Sequence, residues 1–342
     1  MKAVIIEKEG SPVAENVKVI SDWNIDTLQP NHVVIKTEAS ALNHLDLWVG
    51  IGMPGLNLEY PRVSGSDGCG IVSEVGDGVD SSWIGKRVLL NAAVKQEEPV
   101  LPDVPAIPPD IRMIGEHDSG TNAEYFVAPV TNVIDVGDVD PIDAAAFGLA
   151  HLTAWRMLVT RAQLQEGQTV LITGIGGGAA LAAFTICQHF NCNTIVTSRH
   201  QWKLDRAVEL GAAEGILDTG EDWSRTVRSL TGKRGVNVCV DSVGGPLHLP
   251  CIKSLARGGA LVTCGCTAGA SPKTDLSRIF WNQLSVLGST MGDMDEFRAV
   301  LQLLHNGTKP VIDSVHNASN ASEAFARLES GEHFGKVVLR WV

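Results

Sequence analysis

Residues 173–181 read Thr-Gly-Ile-Gly-Gly-Gly-Ala-Ala-Leu, and this stretch decides the fold. The apolar run 169–172 precedes it, and a helical pattern over 182–190 follows it. A strand, a glycine-rich turn and a helix start in this order place backbone amides where they can bind a pyrophosphate. The stretch therefore predicts the first βαβ unit of a dinucleotide-binding domain.

The spacing of the small residues carries this prediction. Gly174, Gly176 and Ala179 have the G-x-G-x-x-A pattern, and Gly177 and Gly178 complete the turn. The chain holds 35 glycines, so such a spacing also arises by chance, and a tight turn that binds nothing is the alternative. A second β-rich run at 193–198, at the distance expected within one βαβ unit, favours the dinucleotide.

The rest of the middle region alternates between strands and helices. The predicted strands are 193–198, 236–241, 259–265 and 284–290, and helical patterns cover 201–210 and 246–256. This alternation is typical of an α/β, doubly wound parallel sheet.

Residues 1 to about 130 differ from the middle, because short β-rich runs separated by turns predict a mostly antiparallel, barrel-like domain. The final run, 335–342, reads as a strand that we expect to return to this first domain. Five prolines between residues 95 and 112 predict an extended surface loop. The predicted domains are 1–148 with 291–342, and 149–290.

Composition narrows the class of protein. A net charge of −12 argues against nucleic acid as the main partner. No apolar stretch is long enough to span a membrane, and the acidic residues near the start are atypical of a signal peptide. Seven cysteines without a C-x-x-C spacing indicate reduced thiols. We therefore expect a cytoplasmic globular protein.

Several motifs together resemble the medium-chain dehydrogenase/reductase superfamily, in its branch of zinc-type alcohol dehydrogenases and quinone oxidoreductases. The resemblance implies a GroES-like barrel domain, a Rossmann domain and oxidoreductase activity. The motifs are Asn43-His-Leu-Asp, Gly65-Ser-Asp-Gly-Cys-Gly, Thr153-Ala-Trp, Gly174-Ile-Gly-Gly-Gly, Val240-Asp-Ser-Val-Gly-Gly and Gly335-Lys-Val-Val-Leu.

The chain departs from this family at the zinc ligands. Asn43 stands where zinc-dependent members have a Cys, Ser66 and Asp67 stand at their His-Glu pair, and their third ligand falls at about Leu149. A catalytic zinc needs three side chains of the Cys, His or carboxylate kind. No cysteine lies between Cys69 and Cys187, where such members carry a structural zinc lobe. We therefore expect no zinc.

The resemblance implies a set of catalytic residues. Asn43 should donate a hydrogen bond to the substrate carbonyl, with Ser66 as a second neutral donor; for Asn43, a turn-forming residue before a helix is the alternative. Asp46 matches an acid near the lost metal, although it can equally cap a helix. Thr153 should pack on the nicotinamide, and His151 is a candidate proton donor. For both, a buried structural residue is the alternative.

The cofactor expected is NADP(H) rather than NAD(H). No acid follows Val196 until Asp205, whereas Ser198, Arg199 and Lys203 offer the hydroxyl and cations that a 2′-phosphate prefers; a solvated helix start is the alternative for the two cations. Matching motifs add further cofactor residues: His44, Ser242, Cys264, Gly265, Ser289 and Lys336, the last at the pyrophosphate. For His44, a plain surface histidine is the alternative.

The resemblance therefore predicts a zinc-independent reductase that transfers hydride from NADPH to a quinone or an α,β-unsaturated carbonyl. An alcohol dehydrogenase and a non-catalytic NADPH-binding protein are the alternatives. The final strand of the Rossmann sheet pairs with its copy in relatives, so we also expect a homodimer.

Overall fold

The computed structural model of the chain describes residues 1–53, 55–96 and 111–341. Most of the proline-rich stretch predicted to be an extended loop lies outside the described residues. The strands are β1 Ala3–Ile6, β2 Val17–Ile20, β3 His32–Ala41, β4 Arg62–Val63, β5 Gly68–Val75, β6 Arg87–Leu90, β7 Ala93–Lys95, β8 Ile111–Met113, β9 Tyr125–Pro129, β10 Val133–Asp135, β11 Thr169–Ile172, β12 Asn193–Ser198, β13 Glu214–Leu217, β14 Val236–Asp241, β15 Leu255–Thr263, β16 Ser285–Gly288, β17 Ile312–Asn317 and β18 Lys336–Arg340.

The helices connect and cover these strands. They are α1 His44–Ile51, α2 Pro141–Trp155, α3 Gly178–His189, α4 Gln201–Glu209, α5 Ser224–Leu230, α6 His248–Ser254, α7 Leu276–Asn282, α8 Met294–His305 and α9 Ala321–Glu329. A π-helical segment, Arg156–Arg161, continues α2. Among the described residues, no helix is long and apolar enough to cross a membrane.

The chain divides into two compact units, Met1–Ala150 with Asp293–Val342, and His151–Gly292. The first unit contains a seven-stranded sheet with the order β10-β6-β5-β3-β18-β17, in which β9 also pairs with β3. All its pairings are antiparallel except that of β17 with β18. The mostly antiparallel first domain predicted from the sequence is confirmed.

The C-terminal strand returns to this sheet, as predicted. Strand β18 runs antiparallel to β3, with Val338 opposite Ala41, and the Leu42 amide donates to the Val337 carbonyl at 2.9 Å. Because the two strands run in opposite directions, this register brings Lys336, two residues before Val338, beside Asn43, two residues after Ala41.

Helices α1 and α9 fix this corner of the first unit. Leu47 and Val49 of α1, Phe325 and Leu328 of α9, and Leu339 of β18 belong to one buried apolar cluster. Each such side chain contributes about 1.5–3 kcal/mol by leaving water. The position of β18 is therefore set by packing as well as by its strand hydrogen bonds.

The second unit is a six-stranded, wholly parallel sheet with the order β13-β12-β11-β14-β15-β16. The doubly wound sheet predicted from the sequence is confirmed. Strand β13 was not predicted, because Ile216 is its only buried side chain and it lacks the apolar run of a central strand. Strand β15 ends at Thr263, so Cys264 and Gly265 follow it rather than extend it.

The glycine before β18 gives the first testable prediction. Gly335 has φ +121°, and a Cβ there would lie 2.5 Å from the Val311 carbonyl oxygen, whereas Gly331 has φ +70° and open space around it. Both substitutions to Ala strain the backbone by about 1–2 kcal/mol, and the overlap adds to this only at Gly335. In denaturant unfolding, Gly335→Ala should therefore lose clearly more stability than Gly331→Ala. Equal losses would contradict the close approach.

Candidate functional site

The glycine turn of the second unit has the geometry of an anion site. Gly174 has φ +63° and Gly176 φ +117°, which L-residues rarely adopt. Helix α3 begins directly after this turn, and its first amides have no partner within the helix. The Ile175 amide donates to the Thr197 carbonyl at 2.8 Å, which fixes the turn to the end of β12. The residues present therefore fit a dinucleotide pyrophosphate.

A buried cation lies against this turn. A Cβ on Gly176 would lie 2.8 Å from Cδ and 3.3 Å from Nζ of Lys203, whose side chain is buried. Ser198 is also buried, and its hydroxyl accepts from the His200 amide at 3.2 Å. Arg199 is exposed. The structure thus brings Lys203 to the predicted phosphate turn and leaves Arg199 open to an incoming phosphate.

A cleft of about 550 Å³ opens beside the end of β12 and has the size of a small-molecule site. Lys253, in this cleft, donates to Asp222 at 2.7 Å. Sequence reasoning missed most of the wall, since much of it follows the unpredicted strand β13. Its lining is Arg199, Asp218, Thr219, Gly220, Glu221, Asp222, Pro246, Leu247, Leu249, Pro250 and Lys253.

A carboxylate in the Val240-Asp-Ser-Val-Gly-Gly motif shapes the turn after β14. Asp241 accepts from the Thr173 hydroxyl at 2.6 Å and from the amides of Val243 and Gly244 at 3.0 Å each. Ser242 lies within this turn and is half-buried. The Asp241 carboxylate therefore links β11 to the predicted cofactor segment.

The remaining predicted residues of this unit lie at the ends of β15 and β16 and on α2. Burial raises the pKa of the Cys264 thiol to about 12. The Ser289 hydroxyl is buried without a hydrogen-bond partner among the described residues. Thr153 is buried with its hydroxyl 3.8 Å from the Met291 sulfur, and His151 is buried as well. Their roles toward substrate and nicotinamide stay predictions.

The first unit contains a fully buried charged cluster, which we call the Lys336 cluster and which consists of Asn43, Asp67 and Lys336. The Lys336 ammonium donates to Asn43 Oδ1 at 2.5 Å and to Asp67 Oδ2 at 2.9 Å. Asn43 Nδ2 donates to the same Asp67 oxygen at 2.8 Å. The cluster thus joins Asn43, at the first ligand position, to Asp67, which matches the Glu of the His-Glu pair, through a cation from the C-terminal strand.

Helix α2 completes the cluster from the other side. The Leu149 amide donates to Asp67 Oδ1 at 2.6 Å, and a Cβ on Gly148 would lie 2.4 Å from that oxygen. Only a glycine at residue 148 allows this approach. Leu149 thus contributes its backbone amide where zinc-dependent relatives were expected to contribute a side chain.

The side chain of Asn43 is already hydrogen-bonded within the protein, and its donation to a substrate carbonyl stays a prediction. The Asn43 Nδ2 donates to Asp67 Oδ2 at 2.8 Å and to the Ala41 carbonyl at 3.4 Å. The Ser66 hydroxyl likewise donates to the Ile114 carbonyl at 2.9 Å. Lys336, predicted at a pyrophosphate, is buried and bound to Asn43 and Asp67, so a contact with cofactor stays a prediction.

The two other predicted residues lie on α1. Asp46 accepts from the Asn43 backbone amide at 2.7 Å, which caps the helix, as its structural alternative required. Burial raises the pKa of Asp46 to about 6 against the lowering effect of that hydrogen bond. His44 is exposed and meets Trp48 edge-on, with ring centroids 5.4 Å apart.

The ligand positions do not fit a catalytic zinc. They present an amide, a hydroxyl and a leucine backbone, and the carboxylate of Asp67 already binds an ammonium. Among the described residues, no group of three or more His, Cys, Asp or Glu side chains could hold a metal ion.

Comparison with known proteins agrees with the fold and the motifs. A family model described as "Alcohol dehydrogenase GroES-like domain" matches residues 29–138, and one described as "Zinc-binding dehydrogenase" matches residues 178–306. A zinc-type alcohol dehydrogenase-like protein, YogA, of Leptosphaeria maculans is 29% identical over 91% of this chain and 90% of its own. Quinone oxidoreductase of Rattus norvegicus is 24% identical over 99% of this chain and 97% of its own.

A solved structure described as an NAD-dependent alcohol dehydrogenase superposes with a TM-score of 0.91, at 34% identity and with complete coverage of both chains. The chain therefore belongs to the medium-chain dehydrogenase/reductase superfamily. Within it, the protein is an NAD(P)H-dependent oxidoreductase similar to zinc-type alcohol dehydrogenases and quinone oxidoreductases.

The misfit of the ligand set predicts the metal content. Elemental analysis of protein produced with added zinc should give well under one zinc per chain, since at most one ligand position supplies a suitable side chain. Chelators should leave the activity intact. Stoichiometric zinc bound through Asp67 would contradict this prediction.

Proposed function

We propose that the protein is an NADPH-dependent, zinc-independent reductase of quinones or α,β-unsaturated carbonyls. The observation that carries the proposal is the Lys336 cluster, in which a lysine ammonium binds Asn43, at the first ligand position, and Asp67, at the Glu of the His-Glu pair. Hydride addition to a simple carbonyl leaves a localised negative charge, which zinc-dependent enzymes stabilise with the metal. A conjugated acceptor delocalises that charge instead.

The nicotinamide of NADPH, when bound, supplies the hydride. The chain itself binds and orients the cofactor through the glycine turn and the start of α3. Asp241 holds the turn after β14 in place through its three hydrogen bonds. Thr153 and His151, both buried, are the proposed contacts to nicotinamide and substrate, with His151 as the candidate proton donor.

The preference for NADPH is proposed from the cations beside the glycine turn. Lys203 lies against Gly176, and Arg199 is exposed at the cleft after β12. The acids of the same cleft weaken this charge, but Asp222 is neutralised by Lys253. A dianionic 2′-phosphate therefore gains charge-assisted hydrogen bonds that NADH cannot make.

Cofactor affinity tests this preference. NADPH should bind at least tenfold more tightly than NADH, a difference of about 1.4 kcal/mol. Replacing Arg199 with Ala should weaken NADPH and leave NADH almost unchanged. The matched control is Arg206→Ala on the following helix α4, whose exposed side chain pairs with Glu209 and should affect neither cofactor. Equal affinities for both cofactors in the unmodified protein would refute the assignment.

Steady-state kinetics test the substrate class. Quinones or enones should be reduced with a kcat/KM at least about 100-fold above that for oxidation of simple alcohols, the scale of one missing transition-state interaction. The same preparation, with its metal content measured, should be used for both classes. Comparable values for ethanol and a quinone would contradict the mechanism.

An alcohol dehydrogenase is the second candidate, and one observation favours it. A structural neighbour described as NAD-dependent alcohol dehydrogenase covers both chains completely at 34% identity. The two candidates differ in cofactor and in substrate, so the affinity and kinetic measurements separate them.

We also propose that the protein is a cytoplasmic homodimer. All seven cysteines are free thiols, as expected in a reducing compartment. Leu276, Phe280 and Trp281 on α7 are about 70% exposed, and Val286 is exposed on the neighbouring edge strand β16. An apolar helix beside an unpaired parallel edge is a surface that a second copy can cover.

Light scattering coupled to size exclusion tests the dimer. The unmodified protein should have twice the mass of one chain, and Trp281→Glu should reduce it to one. Ile84→Glu, a matched change at an exposed apolar residue of the other unit, should leave the mass unchanged. A monomeric unmodified protein would rule the proposal out.

A further inference from the structure

The charges around Asn43 determine which way its amide points. An ammonium can only donate hydrogen bonds and an ionised carboxylate can only accept them. Lys336 therefore requires the amide oxygen of Asn43 on its side, and Asp67 requires the amide nitrogen, as observed at 2.5 and 2.8 Å. A flipped amide would face a donor with a donor and an acceptor with an acceptor.

The Lys336 ammonium also neutralises the buried carboxylate of Asp67. The Asp67 side chain is 0% exposed and that of Lys336 is 5% exposed, so neither charge is stabilised by bulk water. Asp67 receives three donors, namely the Lys336 ammonium, the Asn43 amide and the Leu149 backbone amide. Of these, only Lys336 supplies a charge.

The fold fixes the backbone position of Lys336. Lys336 is the first residue of β18, held beside Asn43 by the pairing of β18 with β3 and by the Leu42 to Val337 hydrogen bond. Gly335 packs with its Cα so close to the Val311 carbonyl that a Cβ would overlap it. Strand pairing and close packing therefore hold the backbone of Lys336 beside Asn43.

We propose that the Lys336 ammonium is the resident cation of this site: it joins Asn43 to Asp67 and acts as the positioning residue that fixes the amide of Asn43. The positioning role rests on the proposed function, whereas the charge pairing does not.

Thermal unfolding without cofactor tests the pairing. Lys336→Met keeps the linear side chain but leaves Asp67 buried without a cation, so the Tm should fall by on the order of 10 °C. The double variant Lys336→Met with Asp67→Asn restores neutrality and should recover at least half of that loss. Lys309→Met removes an exposed ammonium paired with Asp143 and should change the Tm by less than about 2 °C.

If Lys336→Met fails to fold, a double variant that folds supports the pairing, and one that also fails to fold while Asp67→Asn folds overturns it. A double variant that loses as much as or more than the two single variants combined would overturn the pairing. A Lys336→Met protein as stable as the unmodified one would overturn it too.

Kinetics of the folded double variant test the positioning. Its kcat for quinone reduction should fall at least tenfold while the Kd of NADPH changes by less than about threefold. An unchanged kcat would overturn the positioning role. A tenfold weaker NADPH affinity in both Lys336 variants, with Asp67→Asn unaffected, would assign Lys336 to the pyrophosphate and overturn it as well. An unmodified protein that reduces no quinone would refute the proposed function, but the stability comparison would still stand.

Discussion

One buried positive charge, the ammonium of Lys336, organises the chemistry of the first unit. One of its hydrogen bonds orients the amide of Asn43, and the other neutralises the carboxylate of Asp67. Both partners are too buried for water to take the place of the ammonium. A buried ion pair of this kind contributes little net stability over an apolar packing, but losing one partner is costly, by about 3–5 kcal/mol. The residues around it are therefore interdependent: the glycines at 148 and 335, the β3–β18 register and the cap of α1 all serve its geometry.

The positive potential of the second unit has a different origin from that of the first. Here the positive potential comes from backbone amides at a helix start and from Lys203 beside Gly176. Positive φ angles at Gly174 and Gly176 let the turn pass beneath an incoming phosphate. A dinucleotide oxidoreductase needs this rigid cradle, because the hydride donor must be held in one orientation for every turnover.

The sequence predicted the second unit well because its signals are local. The runs that form β11, β12 and β14 are rich in β-branched residues and mostly buried. In the glycine turn, Gly174 and Gly176 have positive φ angles that favour glycine. Strand β13 was missed because only Ile216 is buried in it. Residues 218–222 of the cleft were not predicted either, because their position depends on that strand.

The charged cluster could not be predicted in the same way. Asn43 and Ser66 were recognised as replacements for metal ligands, but Asp67 and Lys336 lie 269 positions apart and meet only through tertiary structure. The same is true of Asp241, whose turn contacts depend on the pairing of β11 with β14. A sequence motif shows which ligand is missing, whereas the group that replaces it is determined by strand register.

The central claim is that a lysine replaces the metal at this site. Diffraction at the zinc absorption edge, from crystals grown with NADPH and excess zinc, tests it most directly. The account predicts no anomalous peak near Asn43 and Asp67, with the Lys336 ammonium bound to both. A zinc peak bound to Asp67, with the Lys336 side chain turned away, would contradict it.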